Sequence, residues 1–228
     1  MSAMSGMVTG VILAGGKSTR LPPDKALMPV DGKRLIEHVA GVLGDACDNV
    51  IMVTDRPEAY SFLGLPAVAD RYPGRGPLAG IHAALKVAPT PFVFVSACDM
   101  PFISVDLIRF SVSVAAGYDA VVPYPDGERP EPAHALYGQT CLPHVERCLR
   151  AGQTKVFSFF AQVAVRRLER PEIERFGPPE AIFLNVNTSF DLARARTLVA
   201  GRAVGPVGRT AALGGGDDSG NPLTEVGA

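Results

Sequence analysis

The sequence predicts an α/β fold with a doubly wound, mostly parallel sheet in a single domain. Short apolar runs rich in β-branched residues, at 8–13, 50–53 and 91–97, have the length and composition of buried strands. Between the first two, Leu35, Ile36, Val39, Val42 and Leu43 recur at helical spacing. Strands alternating with helices imply right-handed crossover units and a parallel sheet covered on both faces. With 228 residues, 47% hydrophobic and 20% charged, the chain can bury a good core and is ordinary for a globular protein.

Each element follows from local pattern. The strand at 8–13 ends in Gly15 and Gly16, and the first helix opens after Asp31-Gly32. A short helix at 57–62 follows the strand at 50–53 and leads to an extended stretch at 66–69. A helix at 78–87 precedes the strand at 91–97, and another begins near Ser104. In the second half, 119–123 and 133–137 read as strands flanking the turn Pro125-Asp126-Gly127. Residues 142–150 and 156–161 read as helices and 162–168 as extended. A last helix at 189–199 is capped by Thr188 or Ser189. The domain is expected over residues 1–200. Residues 201–228, rich in glycine and without aromatics, are expected to be a disordered tail.

A net charge of -1 argues against a broad basic surface, so no nucleic-acid partner is expected. No membrane association is expected either, because the apolar run at 8–14 is too short to span a bilayer. Cys47, Cys98, Cys141 and Cys148 form neither a Cys-x-x-Cys pair nor a zinc spacing. Free thiols in a reducing cytoplasmic compartment are the expectation.

The most informative stretch is Leu13-Ala14-Gly15-Gly16-Lys17-Ser18-Thr19-Arg20, followed by Asp24-Lys25. Glycines bring the backbone close to a ligand and expose N–H groups that form an anion site, while Arg20 and Lys25 add positive charge. Those glycines could instead merely turn the strand into the next element. The stretch is not an ATPase P-loop: counting back from Gly16, the first glycine of that motif would fall on Val11. No Gly-x-Gly-x-x-Gly follows the first strand, which excludes a dinucleotide dehydrogenase.

In open α/β sheets ligands bind beyond the carboxyl ends of the strands. Asp99, in Cys98-Asp99-Met100-Pro101-Phe102, follows the strand at 91–97 and is suited to hold Mg²⁺ among substrate phosphates. It lies too far upstream to cap the helix near Ser104 directly. Asp70 either hydrogen-bonds a base or ribose or supports its own loop. The stretch from Tyr72 to Gly80 is too rich in Gly and Pro for regular structure and serves as a pocket wall or a rigid turn. His38, His82 and His144 lie within helix patterns; His134 either faces an acceptor pocket or is satisfied in the fold. Asn185 and Asn187 either bind substrate or cap and turn the chain.

With those residues assembled, the chain resembles the molybdenum cofactor guanylyltransferases, a branch of the Rossmann-like nucleotidyltransferases. The resemblance spans roughly residues 8–198. It rests on Leu13-Ala14-Gly15-Gly16 with Asp24-Lys25, Gly76-Pro77-Leu78-Ala79-Gly80, Cys98-Asp99-Met100-Pro101-Phe102 and Asn185-Val186-Asn187-Thr188. It implies transfer of GMP from GTP to the terminal phosphate of molybdenum-molybdopterin, with release of pyrophosphate. By the same resemblance Leu13, Ala14, Gly15, Gly16, Lys25, Asp70 and Asp99 hold the nucleotide, and Asp99 also holds Mg²⁺. Arg20, Lys25 and Asp99 carry the catalysis, and Asn185 and Asn187 are the candidates for the acceptor. Transient contact with molybdenum-insertion or acceptor enzymes follows as an expectation.

Two departures stand out. The family's asparagine in the second strand falls near Val53, leaving Thr54 or Asp55 as replacement, and Leu21-Pro22-Pro23 stands where Met-Gly is usual. Pro22 removes a backbone donor and fixes φ. The alternatives are a cytidylyl or sugar-phosphate nucleotidyltransferase, or a nucleotide-binding homologue that no longer turns over.

Overall fold

The computed structural model describes residues 7–15 and 25–203, with side chains to residue 199. In chain order the strands are β1 (Val8–Leu13), β2 (Pro29–Val30), β3 (Lys33–Arg34), β4 (Asn49–Val53), β5 (Ala67–Val68), β6 (Phe92–Ala97), β7 (Ala120–Tyr124), β8 (His134–Gly138) and β9 (Val165–Glu169). The helices are α1 (Leu35–Ala46), α2 (Pro77–Val87), α3 (Val105–Ser113), α4 (Leu142–Arg150), α5 (Arg170–Ile173), α6 (Pro179–Ile182) and α7 (Ser189–Ala203).

The main sheet runs β5-β4-β1-β6-β8-β7-β9. β5, β4, β1 and β6 are parallel neighbours, β8 is antiparallel to both β6 and β7, and β9 is parallel to β7. The expected mostly parallel, doubly wound sheet is therefore present. Alternate side chains along the strands feed two cores, as a period of two requires. Ile12, Met52, Phe94 and Leu136 pack with α1 and α3. Val11, Ile51, Val95 and Tyr137 pack with α2 and α4. Each fully buried aliphatic side chain contributes about 1.5–3 kcal/mol.

Several boundaries and elements differ from the sequence reading. Asp31 and Gly32 both adopt positive φ, +51° and +72°, which turns the chain between β2 and β3 before α1 begins. The stretch expected to lack regular structure becomes helical at Pro77, because proline at a first helical position loses no hydrogen bond. The segments 57–62 and 156–161 form 3-10 helices, Pro57–Leu63 and Val156–Gln162. The four-residue helices α5 and α6 are too short to leave a periodic signal. Ser104 caps α3, its Oγ accepting from the Leu107 N–H at 3.3 Å, so Asp99 has no capping duty there. The last helix, expected at 189–199, runs to Ala203, so residues 201–203 of the tail expected at 201–228 are helical. From residue 204 onward that tail lies outside the described residues.

A third core joins early and late segments of the described chain. Val30, Leu35 and Phe102 pack against Leu184, Val186, Leu192 and Ala195. This contact brings the α7 region beside the β2–β3 hairpin and the turn that precedes it. No helix among the described residues is long and apolar enough to cross a membrane.

Candidate active site

β1 leads through α1 to β4 on one side, whereas β6 lies on the other side of β1. The crevice beyond the carboxyl ends of β1 and β6 is therefore the topological switch point, where ligands of such sheets bind. Leu13, Ala14 and Gly15 leave β1 there, and Cys98 and Asp99 leave β6. The Cys98 N–H donates to the Leu13 carbonyl at 3.2 Å and ties the two exits together.

Lys25 enters from the 3-10 turn Lys25–Leu27. Its Nζ donates to Asp99 Oδ2 and, at 2.6 Å, to Asn187 Oδ1. The Asp99 side chain is 8% exposed and that of Lys25 25%, so this ion pair is largely withdrawn from water. The main chain reinforces it, because the Val186 N–H donates to the Asp99 carbonyl at 2.9 Å. Asn187 is held by the start of α7, where Asp191 Oδ2 accepts from the Asn187 N–H at 3.1 Å and the Thr188 N–H at 2.9 Å. The Thr188 hydroxyl in turn accepts from the Asp191 N–H at 3.1 Å, a reciprocal cap. Hydrogen bonding, led by the Thr188 hydroxyl, holds the Asp191 carboxyl below its ordinary range.

Glu131 is a further carboxylate near this cluster. The antiparallel register pairs Ser96 with His134, and the Ala97 N–H still donates to the Ala133 carbonyl at 3.0 Å. Glu131 lies near enough to Asp99 for that charge to act on it. Burial, with the Asp99 charge adding to it, raises the Glu131 pKa against the lowering effect of the Ala133 N–H. The sequence puts Arg129 and Glu131 on a loop beside His134, either facing the acceptor or not. The nearness of Glu131 to Asp99 comes from tertiary packing that local pattern does not encode.

The other candidates divide. Asn185 Nδ2 donates to the Phe183 carbonyl at 3.5 Å, a bond within its own segment, whereas Asn187 joins Lys25. Asp70 Oδ1 accepts from the Tyr72 N–H, so it supports its own loop. His134 does not face an acceptor pocket: it is fully buried, edge-on to Phe94 and Phe183 with ring centroids 5.0 Å away in each case. His38 Nε2 pairs with the Val30 carbonyl at 2.8 Å and His82 Nε2 with Glu146 Oε1 at 3.3 Å. Gly16, Arg20, Pro22, Pro23 and Asp24 lie outside the described residues. None of the four cysteines forms a disulfide among the described residues, and burial pushes the Cys47 and Cys141 thiols up to about 12.

α2 forms the opposite wall. A Cβ added at Gly80 would stand 2.7 Å from Leu13 Cδ2, so the absence of a side chain lets α2 press directly on the β1 exit. Hard oxygen donors and an ammonium thus converge beside a strand-to-loop exit at a switch point. That combination is suited to hold phosphate groups and a divalent cation.

The family described as MobA-like NTP transferase domain matches residues 10–168. The chain belongs to that family. A relative from Pelotomaculum thermopropionicum, described as a probable molybdenum cofactor guanylyltransferase, is 40% identical over 87% of this chain and 97% of its own length. A molybdenum cofactor guanylyltransferase from Desulfosudis oleivorans is 33% identical over 86% of this chain and 98% of its own. Among solved structures, molybdopterin-guanine dinucleotide biosynthesis protein A from Archaeoglobus fulgidus is similar at a TM-score of 0.73 and 27% identity. It is matched over 85% of this chain and 99% of that one.

Proposed function

We propose that the protein transfers GMP from GTP to the terminal phosphate of molybdenum-molybdopterin, giving the guanine dinucleotide and pyrophosphate. The observation that carries this reading is the convergence of Lys25, Asp99 and Asn187 at the switch point. Relatives named molybdenum cofactor guanylyltransferase at 33–40% identity over most of the chain support the choice of nucleotide and acceptor.

The chemistry asks for positioning and charge more than covalent help. An acceptor phosphate oxygen forms the new bond to the α-phosphorus as the bond to pyrophosphate breaks. The acceptor phosphate is already ionised, so no strong general base is needed. Leu13, Ala14 and Gly15 would seat the nucleotide at the β1 exit, and Gly16 and Arg20 would extend the phosphate contacts. Lys25, now spread over Asp99 and Asn187, would turn its charge to the phosphates. Asp70 would act through the loop it supports. Asn185 would contribute to the acceptor side from the segment it steadies.

A divalent metal, Mg²⁺ in this proposal, fits the donor set of the Asp99 carboxylate and the Asn187 amide oxygen, both hard oxygens. When bound it would supply neutralisation of phosphate charge. The catalytic unit is proposed to comprise residues 1–200, without a role for the tail.

Calorimetric binding of GTP, CTP, ATP and UTP, with and without Mg²⁺, tests the reading, with Asp99→Ala in parallel. Selective GTP binding whose metal dependence vanishes in the variant is expected. Selective CTP binding would transfer the protein to the cytidylyl alternative, and binding of none of the four would sink the proposal.

A further inference from the structure

β1 and β4 part at the mouth of the crevice, and one side chain manages the separation. The Ala14 N–H donates to the Val53 carbonyl at 2.9 Å, the last rung between the two strands. In a regular parallel ladder the Ala14 carbonyl would next accept from the main-chain N–H of residue 55. The Thr54 hydroxyl takes that carbonyl instead, at 3.0 Å. The same hydroxyl accepts from the Arg56 N–H at 3.1 Å, and the Thr54 N–H donates to the Val68 carbonyl at 3.0 Å. Thr54 is only 3% exposed, so water is poorly placed to substitute for it.

The ends of β1, β4 and β5 are therefore stitched through one residue. This lets β4 turn away and open the crevice while the Ala14 carbonyl keeps a donor, which a buried carbonyl requires. The Val53 side chain is buried and carries no polar group. Thr54 supplies hydrogen bonding at this strand end, but directs it to the main chain of the neighbouring loop.

We propose that Thr54 is a positioning residue for the nucleotide: its hydroxyl fixes the Ala14 carbonyl and so sets the direction in which the chain leaves β1 at Gly15. The proposal rests on the reading of that exit as the nucleotide site. Thr54 itself need not touch the ligand. Its contribution is the preorganisation of a backbone that does.

The test compares the full-length wild type with Thr54→Val, which keeps the shape and removes the hydroxyl, and Thr54→Ser, which restores it. Calorimetric GTP titrations and steady-state kinetics with acceptor are the readouts. Thr54→Val is expected to raise the GTP dissociation constant and KM together by about tenfold, with kcat largely retained. Thr54→Ser should stay within about threefold of the wild type, as a recovered hydrogen bond implies.

GTP binding by Thr54→Val equal to the wild type, whatever its melting temperature, would overturn the proposal and leave Thr54 a purely structural residue. Serine behaving as valine would do the same. If the valine variant does not fold, Thr54→Ala makes the same comparison without a branched side chain. Failure of the wild type to bind GTP would refute the reading of the site, and the role of Thr54 with it. Normal wild-type binding with an unaffected variant would refute Thr54 alone.

Discussion

The Nζ of Lys25 and the Oδ1 of Asn187 lie 2.6 Å apart, although 162 residues separate them in the chain. Packing of the β2–β3 hairpin and Leu35 against the segment from Leu184 to Ala195 makes this approach possible. The candidate site is thus closed by a contact between the beginning and the end of the domain.

Loss of that contact should be felt in turnover more than in folding. Lys25→Ala is expected to lower kcat/KM for GTP by about 10²-fold, the scale of a lost electrostatic contact to a transition state. Asn187→Ala should cost about tenfold, because a neutral amide gives a weaker interaction. The double variant should fall short of the product of the two, since the residues act on one another. Steady-state kinetics on all three checks this, and strict multiplicativity would show that the two side chains work independently.

Gly80 makes a second prediction. An added Cβ would lie 2.7 Å from Leu13 Cδ2, closer than real carbon atoms approach. Leu13 has a flexible side chain, but it stands at the β1 exit, so a shift made to admit the new Cβ is expected to be felt at that exit. Gly80→Ala should destabilise by about 1–3 kcal/mol, as overpacking does, and should weaken GTP binding as well. Thermal denaturation and calorimetry together check both effects. A stable variant with unchanged affinity would show that Leu13 gives way freely.

His134 makes a third. Its two ring nitrogens have no partner among the described residues, and burial depresses its pKa to about 3. The unfolded chain takes up a proton near the ordinary value of about 6.5, while the folded protein resists until about 3. Between those limits the unfolded state binds more protons, so this group makes stability fall as pH falls. Urea denaturation of the wild type should therefore lose stability through this window, and His134→Leu should lose less over the same range. Equal pH slopes would mean that the imidazole is satisfied in solution.

Much of the fold was legible because it is written in local pattern. The strands at β1, β4 and β6 carry apolar, β-branched runs, and α1, α2, α4 and α7 carry helical spacing or terminal signals. Most boundaries shifted by a residue or so, as at Pro77, where proline begins the helix one residue early. However, α1 opens only at Leu35 and α7 runs four residues past its expected end. The short α5 and α6 were not legible, because four residues hold about one turn and no period. The candidate site was legible as a set of residue types but not as a set of contacts. Lys25 and Asp99 could be named from their motifs, yet the bond from Lys25 to Asn187 depends on tertiary packing. Glu131 and Thr54 matter through tertiary proximity and strand separation, which no single window of sequence contains.

The reversed strand β8 has a consequence for how such a molecule can change. β1 and β6 meet the crevice on their way out of the sheet, but β8 enters the sheet beside β6 from that same end, through the segment after β7 that carries Glu131. The rim on that side, where Glu131 nears Asp99, has a length set neither by a crossover helix nor by the β1 exit. Insertions or deletions there can remodel that rim while the β1 and β6 exits stay as they are. The fold thereby separates what must be kept, the handling of triphosphate, from what can be retuned from one descendant to the next.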